Sequence, residues 1–337
     1  MKTKLCPPDS ANIDECAAAI KAGGLVAFPT ETVYGLGTNA LLEEKVGQIF
    51  AAKGRPADNP LIVHIGSVRQ LKKAAVDIPD RAYRLLRSPL MPGPLTLVLK
   101  KAPAIPYIVT GGLDTVAVRI PKNAIAKRLL TKADVPVCAP SANKSAAPSP
   151  TTAAHVLADL DGSIEYILDG GPCEIGLEST VLDLTVDPPC ILREGGTPRS
   201  AIESVIGRVG VSCDTAAAAA ASAPKSPGAK YKHYAPRAAV YTAEPDERAE
   251  VGRFYDRETA AGKRCVILSM TETPEGPRAE WPVGKTAADY AKRLFAYFRR
   301  ADEAGYDVII AVKPPHNADD VSEAVINRLN KAAVGRV

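Results

Sequence analysis

Apolar positions along this chain follow two spacings. From Asn12 to Ala22 they recur at helical intervals and stop at Gly23-Gly24, which predicts a helix closed by glycine. Leu25 to Phe28 is a short apolar run and predicts a buried strand. The same reading predicts a helix over Glu43 to Lys53, ended by Gly54, and strands over Leu61 to Ile65, Leu95 to Lys100 and Thr115 to Ile120. A helix is then expected over Thr151 to Leu160, strands over Ile164 to Leu168, Thr180 to Leu184 and Cys190 to Arg193, and a closing helix over Ser200 to Ile206. Several of these strands follow one another without a helical pattern between them. The N-terminal part is therefore predicted to be α/β with a mixed, twisted, partly antiparallel sheet and flanking helices. After Arg237 the pattern alternates strictly. Strands Ala238 to Tyr241, Arg264 to Ser269 and Asp307 to Val312 are interleaved with helices Pro245 to Ala261, Thr286 to Ala304 and Val321 to Ala333. That predicts a small Rossmann-like three-layer α/β unit on a parallel sheet.

The clearest break lies between these parts. Ala216 to Ala221 offer no core-forming side chain, and the prolines and glycine of Pro224 to Gly228 stop any helix. The expected division is a first domain over 9–210, a linker over 211–237 and an α/β domain over 238–337, since 337 residues exceed what one compact core usually holds. Within the linker, Lys230-Tyr231-Lys232-His233-Tyr234 alternates cations with aromatics, which a plain spacer does not need.

Composition narrows the chemistry. With 42 basic and 38 acidic side chains the net charge is +4, too balanced for a broad nucleic-acid coat but compatible with a local basic pocket. Seven scattered cysteines contain no C-x-x-C pair, so reduced, mostly buried thiols are expected and a zinc site is not. No signal-peptide pattern and no run of ~20 apolar residues occurs, which leads us to expect a soluble cytoplasmic protein with no membrane partner.

The P-loop pattern G-x-x-x-x-G-K-[ST] is missing, and Gly35-Leu36-Gly37 is only a relaxed dinucleotide fingerprint. Polar groups gather instead in four segments. In Phe28 to Gly37, an apolar strand runs into Thr30, Thr32 and Tyr34; these can hold a small polar ligand or simply bond to the local backbone. Lys53-Gly54-Arg55, before the stiff Pro56 to Pro60, reads as a phosphate clamp or as basic residues complementing a helix C-terminus. His64 near a strand end reads as a structural residue at least as readily as a ligand contact. Ser141 and Asn143 sit on one side of an extended segment and can meet a phosphate or carboxylate, or form an ordinary polar turn. The last segment comprises the glycine-rich loops around Gly170, Gly176 and Gly195. Arg119 and Arg193 each end an apolar strand, where a buried guanidinium needs an anionic partner unless the strand end reaches solvent.

Together FPTETVYGLG, KGRPADNPLIVHI, MPGPLTLVL, VAVRIP, APSANKSAAPSPT, LESTVLDL, ILREGG and SPGAKYKHYAP resemble the YrdC-like threonylcarbamoyl-adenylate synthase family in its two-domain form. The resemblance spans almost the whole chain. It implies a concave cavity in the first domain and a reaction of ATP, L-threonine and bicarbonate that gives threonylcarbamoyl-AMP and pyrophosphate. It assigns catalytic roles to Lys53, Arg55, Ser141 and Asn143. It implies ATP contacts from Arg55, Asn59, Thr115, Ser141, Ser149, Arg193, Tyr231 and Tyr234, and threonine contacts from Thr30, Thr32, Tyr34, His64, Arg119, Ala139 and Ser179. Mg2+ is expected with ATP, although no carboxylate cluster is evident to hold a resident metal. The product would pass to a separate complex that threonylcarbamoylates tRNA; stable tRNA binding by this chain is left open.

Two other readings are weighed. A double-stranded RNA or tRNA-binding module without ATP chemistry is disfavoured by the modest charge and few aromatics. A carbamoyl-transfer enzyme of hydrogenase maturation is disfavoured by the missing cysteine pairs. The linker's aromatic and basic run, bracketed by Pro227 and Pro236, is expected to act as a lid that excludes water from a labile carbamate. Limited proteolysis checks this. Cleavage between Gly228 and Tyr234 should be ready in the free protein and slowed by ATP with threonine; equal cleavage in both states argues for a passive tether.

Overall fold

The computed structural model describes residues 2–211, 234–270, 277–316 and 318–337. Cys213, the alanine run, Tyr231 and the expected lid up to His233 lie outside them. The chain divides into two compact units, and the short segments Ala146–Ser149 and Ile175–Leu177 fall with the C-terminal one.

The first unit is built on eleven strands: β1 (Lys4–Cys6), β2 (Val26–Phe28), β3 (Gly35–Asn39), β4 (Ile62–His64), β5 (Leu95–Lys100), β6 (Thr115–Arg119), β7 (Val137–Cys138), β8 (Tyr166–Leu168), β9 (Thr180–Asp183), β10 (Cys190–Arg193) and β11 (Gly210–Val211). Their spatial order is β1-β8-β2-β3-β7-β4-β6-β5-β9-β10-β11, with parallel and antiparallel neighbours mixed as the pattern predicts. Eight helices accompany them among the described residues: α1 (Ser10–Ala22), α2 (Glu43–Lys53), α3 (Leu71–Ala74), α4 (Asp80–Leu86), α5 (Tyr107–Thr110), α6 (Ala124–Ala133), α7 (Ala153–Leu160) and α8 (Arg199–Ile206). Asp9 caps α1 and Gly23 ends it in the left-handed region; Gly54 does the same for α2. β1 pairs with β8, so the sheet begins before residue 9, on a strand too short to show a period.

The pleat sorts side chains onto two faces. Ala27, Leu36, Val63, Leu97, Val118, Cys138, Leu182 and Ile191 point to one face and join the main core. The other face changes character halfway across. On β1, β8, β2 and β7, the residues Cys6, Leu168, Val26, Phe28 and Val137 pack with Ile13 and Ile20 of α1 and Leu129 and Leu130 of α6. Beyond β7 the same face carries a small apolar cluster of Ile62, Ala117, Val98 and Val181, and a row of polar side chains described below.

The second unit holds β12 (Ala239–Ala243), β13 (Cys265–Ser269), β14 (Glu280–Pro282), β15 (Val308–Val312) and β16 (Gly335–Arg336), with α9 (Arg248–Ala260), α10 (Ala287–Glu303) and α11 (Ser322–Ala332). All pairings in the order β14-β13-β15-β12-β16 are parallel, as the strict alternation predicts. A Thr286–Asp289 capping box starts α10.

No helix among the described residues is long and apolar enough to cross a membrane. Cys6, Cys16, Cys138, Cys173 and Cys265 are free thiols, and burial pushes those of Cys16, Cys138 and Cys173 up to about 12.

Gly35 and Gly37 lie within a strand, not in a nucleotide turn. A Cβ at Gly37 would stand 2.7 Å from both Phe28 Cε1 and Val137 Cγ1, so the glycine makes room for the Phe28 ring. Gly37→Ala is expected to destabilise the protein by about 1–3 kcal/mol through overpacking, read from chemical denaturation. Unchanged stability would contradict this account of the packing.

Candidate active site

Strand register assembles the site. β4 and β6 run parallel with His64 beside Arg119; β5 is antiparallel to β6 with Thr96 beside Arg119; β9 follows with Val181 beside Thr96; β10 places Arg193 beside Val181. Cross-strand partners share a face, so His64, Arg119, Thr96 and Arg193 form a row on the face that carries the small apolar cluster. Arg193 reaches that face because of a β-bulge. Ile191 opposes Leu182 and faces the main core; the register then shifts, and Arg193 opposes Val181. Without the extra residue, Arg193 would point with Ile191 into the main core.

Arg119 is 4 % exposed and held from three directions. Its Nε donates to Gly93 O at 3.2 Å, Nη1 to Thr32 Oγ1 at 2.8 Å and Nη2 to Glu31 Oε1 at 2.7 Å. Burial works against the charged form of Glu31. The Arg119 guanidinium and backbone N–H groups outweigh it and hold the carboxyl below the usual range. Breaking such a buried pair from one side costs about 3–5 kcal/mol.

Thr30 Oγ1 donates to Val33 O at 2.6 Å, so the proton between Thr30 and Thr32, 2.8 Å apart, belongs to Thr32. Thr32 thus takes one proton from Arg119 and gives one to Thr30, and keeps acceptor capacity. His64 Nδ1 lies 3.2 Å from Ile62 O, a group that only accepts. The ring proton is therefore on Nδ1 and Nε2 is an acceptor. Burial, and after it the Arg119 charge, pushes the His64 pKa down to about 3, so the imidazole is neutral. The Phe28 ring stands edge-on to it at 6.1 Å.

At the other side of the row, Ser179 Oγ lies 2.7 Å from Thr96 Oγ1, and Arg193 donates to Ser179 O and Oγ at 2.9 and 3.2 Å. The glycine of ILREGG permits this approach: a Cβ at Gly195 would fall 2.3 Å from the Ser179–Thr180 backbone.

A second group lies toward the start of β4. Lys53, buried at the end of α2, donates to Ser141 O and to Asn143 O, with Asn143 Oδ1 at 3.5 Å. Its own carbonyl accepts from Ser145 N at 2.8 Å. The Ser141–Ser145 loop is thus wound around one lysine. Ala139 N donates to Ile62 O at 2.9 Å, which sets the direction in which the segment after β7 runs. Arg55 Nη2 reaches Asn59 O and Pro60 O at 3.3 and 3.1 Å, within the loop that enters β4. Thr115 begins β6, on the same face as Ala117 and Arg119.

The first unit therefore gathers Thr30, Thr32, His64, Arg119 and Ser179 at one end, and Lys53, Arg55, Asn59, Ser141, Asn143 and Thr115 toward the other. Tyr34 lies among the main-core residues and is tied by its hydroxyl to Gly171 O and Gly170 N, so it braces the loop after β8. Ser149 is buried and falls with the second unit. Tyr234, expected to meet ATP, is buried in the second unit, stacked on Phe295 at 5.5 Å with Arg328 over its ring. These contacts lie wholly within the second unit. Sequence reasoning passed over Glu31 and Thr96. Glu31 sits inside FPTETVYGLG, and Thr96 breaks an otherwise apolar strand; either oddity is a usable signal.

The model of the Sua5, YciO and YrdC proteins, described as "Telomere recombination", matches residues 18–195. The chain belongs to the Sua5–YciO–YrdC family. A second model, described as "Threonylcarbamoyl-AMP synthase, C-terminal domain", matches residues 198–334 and marks the two-domain form. Family relatives include the threonylcarbamoyl-AMP synthase of Pyrococcus abyssi, 46 % identical over 95 % of this chain and 94 % of its own length. That of Bacillus subtilis is 42 % identical over 96 % and 94 %. The crystal structure of P. abyssi Sua5 complexed with L-threonine is similar, with a TM-score of 0.91 at 43 % identity over 99 % of this chain and all of that one.

For His64 the folded-state pKa lies below the ordinary value of 6.5. Its contribution is intact above pH 6.5 and is lost as pH falls toward 3, because the unfolded state then binds the proton first. The His64 Cε1–H resonance, assigned by loss in His64→Gln, should stay flat from pH 8 to pH 5. A midpoint near 6.5 would refute the neutral, acceptor-only imidazole.

Proposed function

We propose that this chain is an L-threonylcarbamoyladenylate synthase, a nucleotidyltransferase that joins L-threonine, bicarbonate and the AMP part of ATP with release of pyrophosphate. The observation that carries the reading is the single sheet face on which an Arg119-centred polar pocket and a Lys53-organised loop lie at opposite ends of two parallel strands. Thr115 and Arg119 are four residues apart along β6, roughly 13 Å, a separation suited to an amino acid at one end and a nucleotide at the other. The relatives named threonylcarbamoyl-AMP synthase support the same assignment.

In this reading the threonine carboxylate meets Arg119, and its amine faces acceptors on Thr32 and His64. The amine captures bicarbonate as a carbamate with loss of water. A carbamate oxygen then attacks the α-phosphorus, and the bond to the bridging oxygen of pyrophosphate breaks. Lys53 acts chiefly by fixing Ser141 and Asn143; Arg55 and the loop it holds present the cationic edge toward the phosphates. Positioned donors of this kind can supply most of the transition-state stabilisation in phosphoryl-group chemistry.

The described residues contain no group of three or more His, Cys, Asp or Glu side chains that would hold a metal ion. Glu31, the acid paired with Arg119, is committed to that guanidinium and to backbone N–H groups. Mg2+ is accordingly assigned to the triphosphate, as part of that substrate. Free thiols at Cys6, Cys16, Cys138, Cys173 and Cys265 support a reducing, cytoplasmic setting, where the product would pass to a separate tRNA threonylcarbamoyl-transfer complex.

Pyrophosphate release should require threonine and bicarbonate together, with threonylcarbamoyl-AMP detected by mass spectrometry. Lys53→Ala should lower turnover by roughly 100-fold or more. Equal release with ATP alone would identify a simple ATPase and overturn the proposal.

A further inference from the structure

We infer that Glu31 is a positioning residue that makes the Arg119 end of the site accept a zwitterion in preference to a simple anion. This rests on reading that end as the threonine subsite.

The Glu31 carboxylate is 2 % exposed and serves two elements at once. Oε1 takes the Arg119 Nη2 proton at 2.7 Å, while Oε2 accepts from Lys122 N at 3.0 Å and Asn123 N at 3.3 Å, just before α6. One carboxylate thereby joins the turn after β2, the end of β6 and the entry to α6. With Gly93 O on Nε and Thr32 Oγ1 on Nη1, the guanidinium plane is fixed on three sides. A planar donor held this way can meet a substrate carboxylate in only a few orientations.

The pair also sets the charge beside Arg119. Glu31 cancels the Arg119 charge, Arg193 stands farther along the row and donates to Ser179 O and Oγ, and His64 next to Arg119 presents only a lone pair. A carboxylate arriving alone would bring an uncompensated negative charge close to Glu31. An α-amino acid brings its own ammonium, which matches the acceptors on Thr32 and His64. The pocket thus favours an amino acid over the same molecule without its amine, partly by repulsion of the wrong ligand.

Direct binding tests this with L-threonine and with 3-hydroxybutyrate, which is threonine lacking the amine. By calorimetry, Glu31→Gln should weaken threonine by roughly 10- to 100-fold, the range for a hydrogen bond to a charged group. It should leave ATP affinity unchanged and leave 3-hydroxybutyrate unchanged or tighter. Glu31→Asp, which keeps the charge, should restore part of the preference for threonine. Equal weakening of both carboxylates, or weakening of ATP as well, would show a purely structural role and overturn the inference. Should Glu31→Gln fail to fold, Glu31→Asp carries the test: a preference for threonine over 3-hydroxybutyrate that is kept at least in part, with unchanged ATP, supports the inference, and equal weakening of both carboxylates overturns it. Binding is read without turnover, so it stands apart from the synthase reading. A wild-type protein that binds threonine but makes no adenylate would refute the reaction alone, and one that binds no threonine would refute the subsite.

Discussion

Ile62, Val63 and His64 run in the same direction as, and paired with, Ala117, Val118 and Arg119. A parallel pair puts both strand starts at one end and both strand ends at the other. The loop held by Arg55 leads into the start of β4, Thr115 opens β6, and His64 and Arg119 close the two strands. Everything else arranges itself around this axis. Antiparallel β7 runs back alongside β4 and returns its following segment, Ala139 to Asn143, toward the strand starts. Antiparallel β5 sets Thr96 next to Arg119. A sheet of one sense only would not bring the Ser141 loop and the Arg55 loop to the same end.

Two local devices then convert strand geometry into chemistry. The Lys53 ammonium gathers carbonyls from the Ser141–Asn143 loop, so that one buried charge holds two backbone oxygens that no strand or helix pairs. The bulge in β10 turns Arg193 from the main core to the face with the polar row, where it grips Ser179. In both cases a cation organises backbone, and the organised backbone presents the site. Both cations are well placed for this, because Lys53 ends a helix and Arg193 ends a strand, where carbonyl groups have few regular partners.

Much of this was legible in the sequence, for physical reasons that vary by element. The helix over Glu43–Lys53 and the strands over Leu95–Lys100 and Cys190–Arg193 have sharp edges, set by glycine or by charged residues, and their predicted bounds agree with the structure. β3 was hidden because its glycines read as a turn; they are strand residues that yield space to Phe28. α6 went unread although Asn123 caps it with two backbone hydrogen bonds and its apolar residues follow helical spacing. Of the site, the ordered motifs identify the residues, but not their partners. Whether Lys53 faces a phosphate or a loop, and whether Tyr234 faces a nucleotide or Phe295, depends on contacts between segments far apart in the chain.

The buried thiols provide built-in probes of local opening. Cys138 lies in β7 between β3 and β4, with Thr38 and Val63 as its cross-strand partners, and burial keeps its thiol protonated at ordinary pH. A thiol in that condition reacts with an alkylating reagent only while the strands around it are parted. Its rate of labelling would therefore time the breathing of the sheet directly beneath the Ser141 loop, and a ligand that bridges the two ends of β4 and β6 would slow that clock without touching the sulfur.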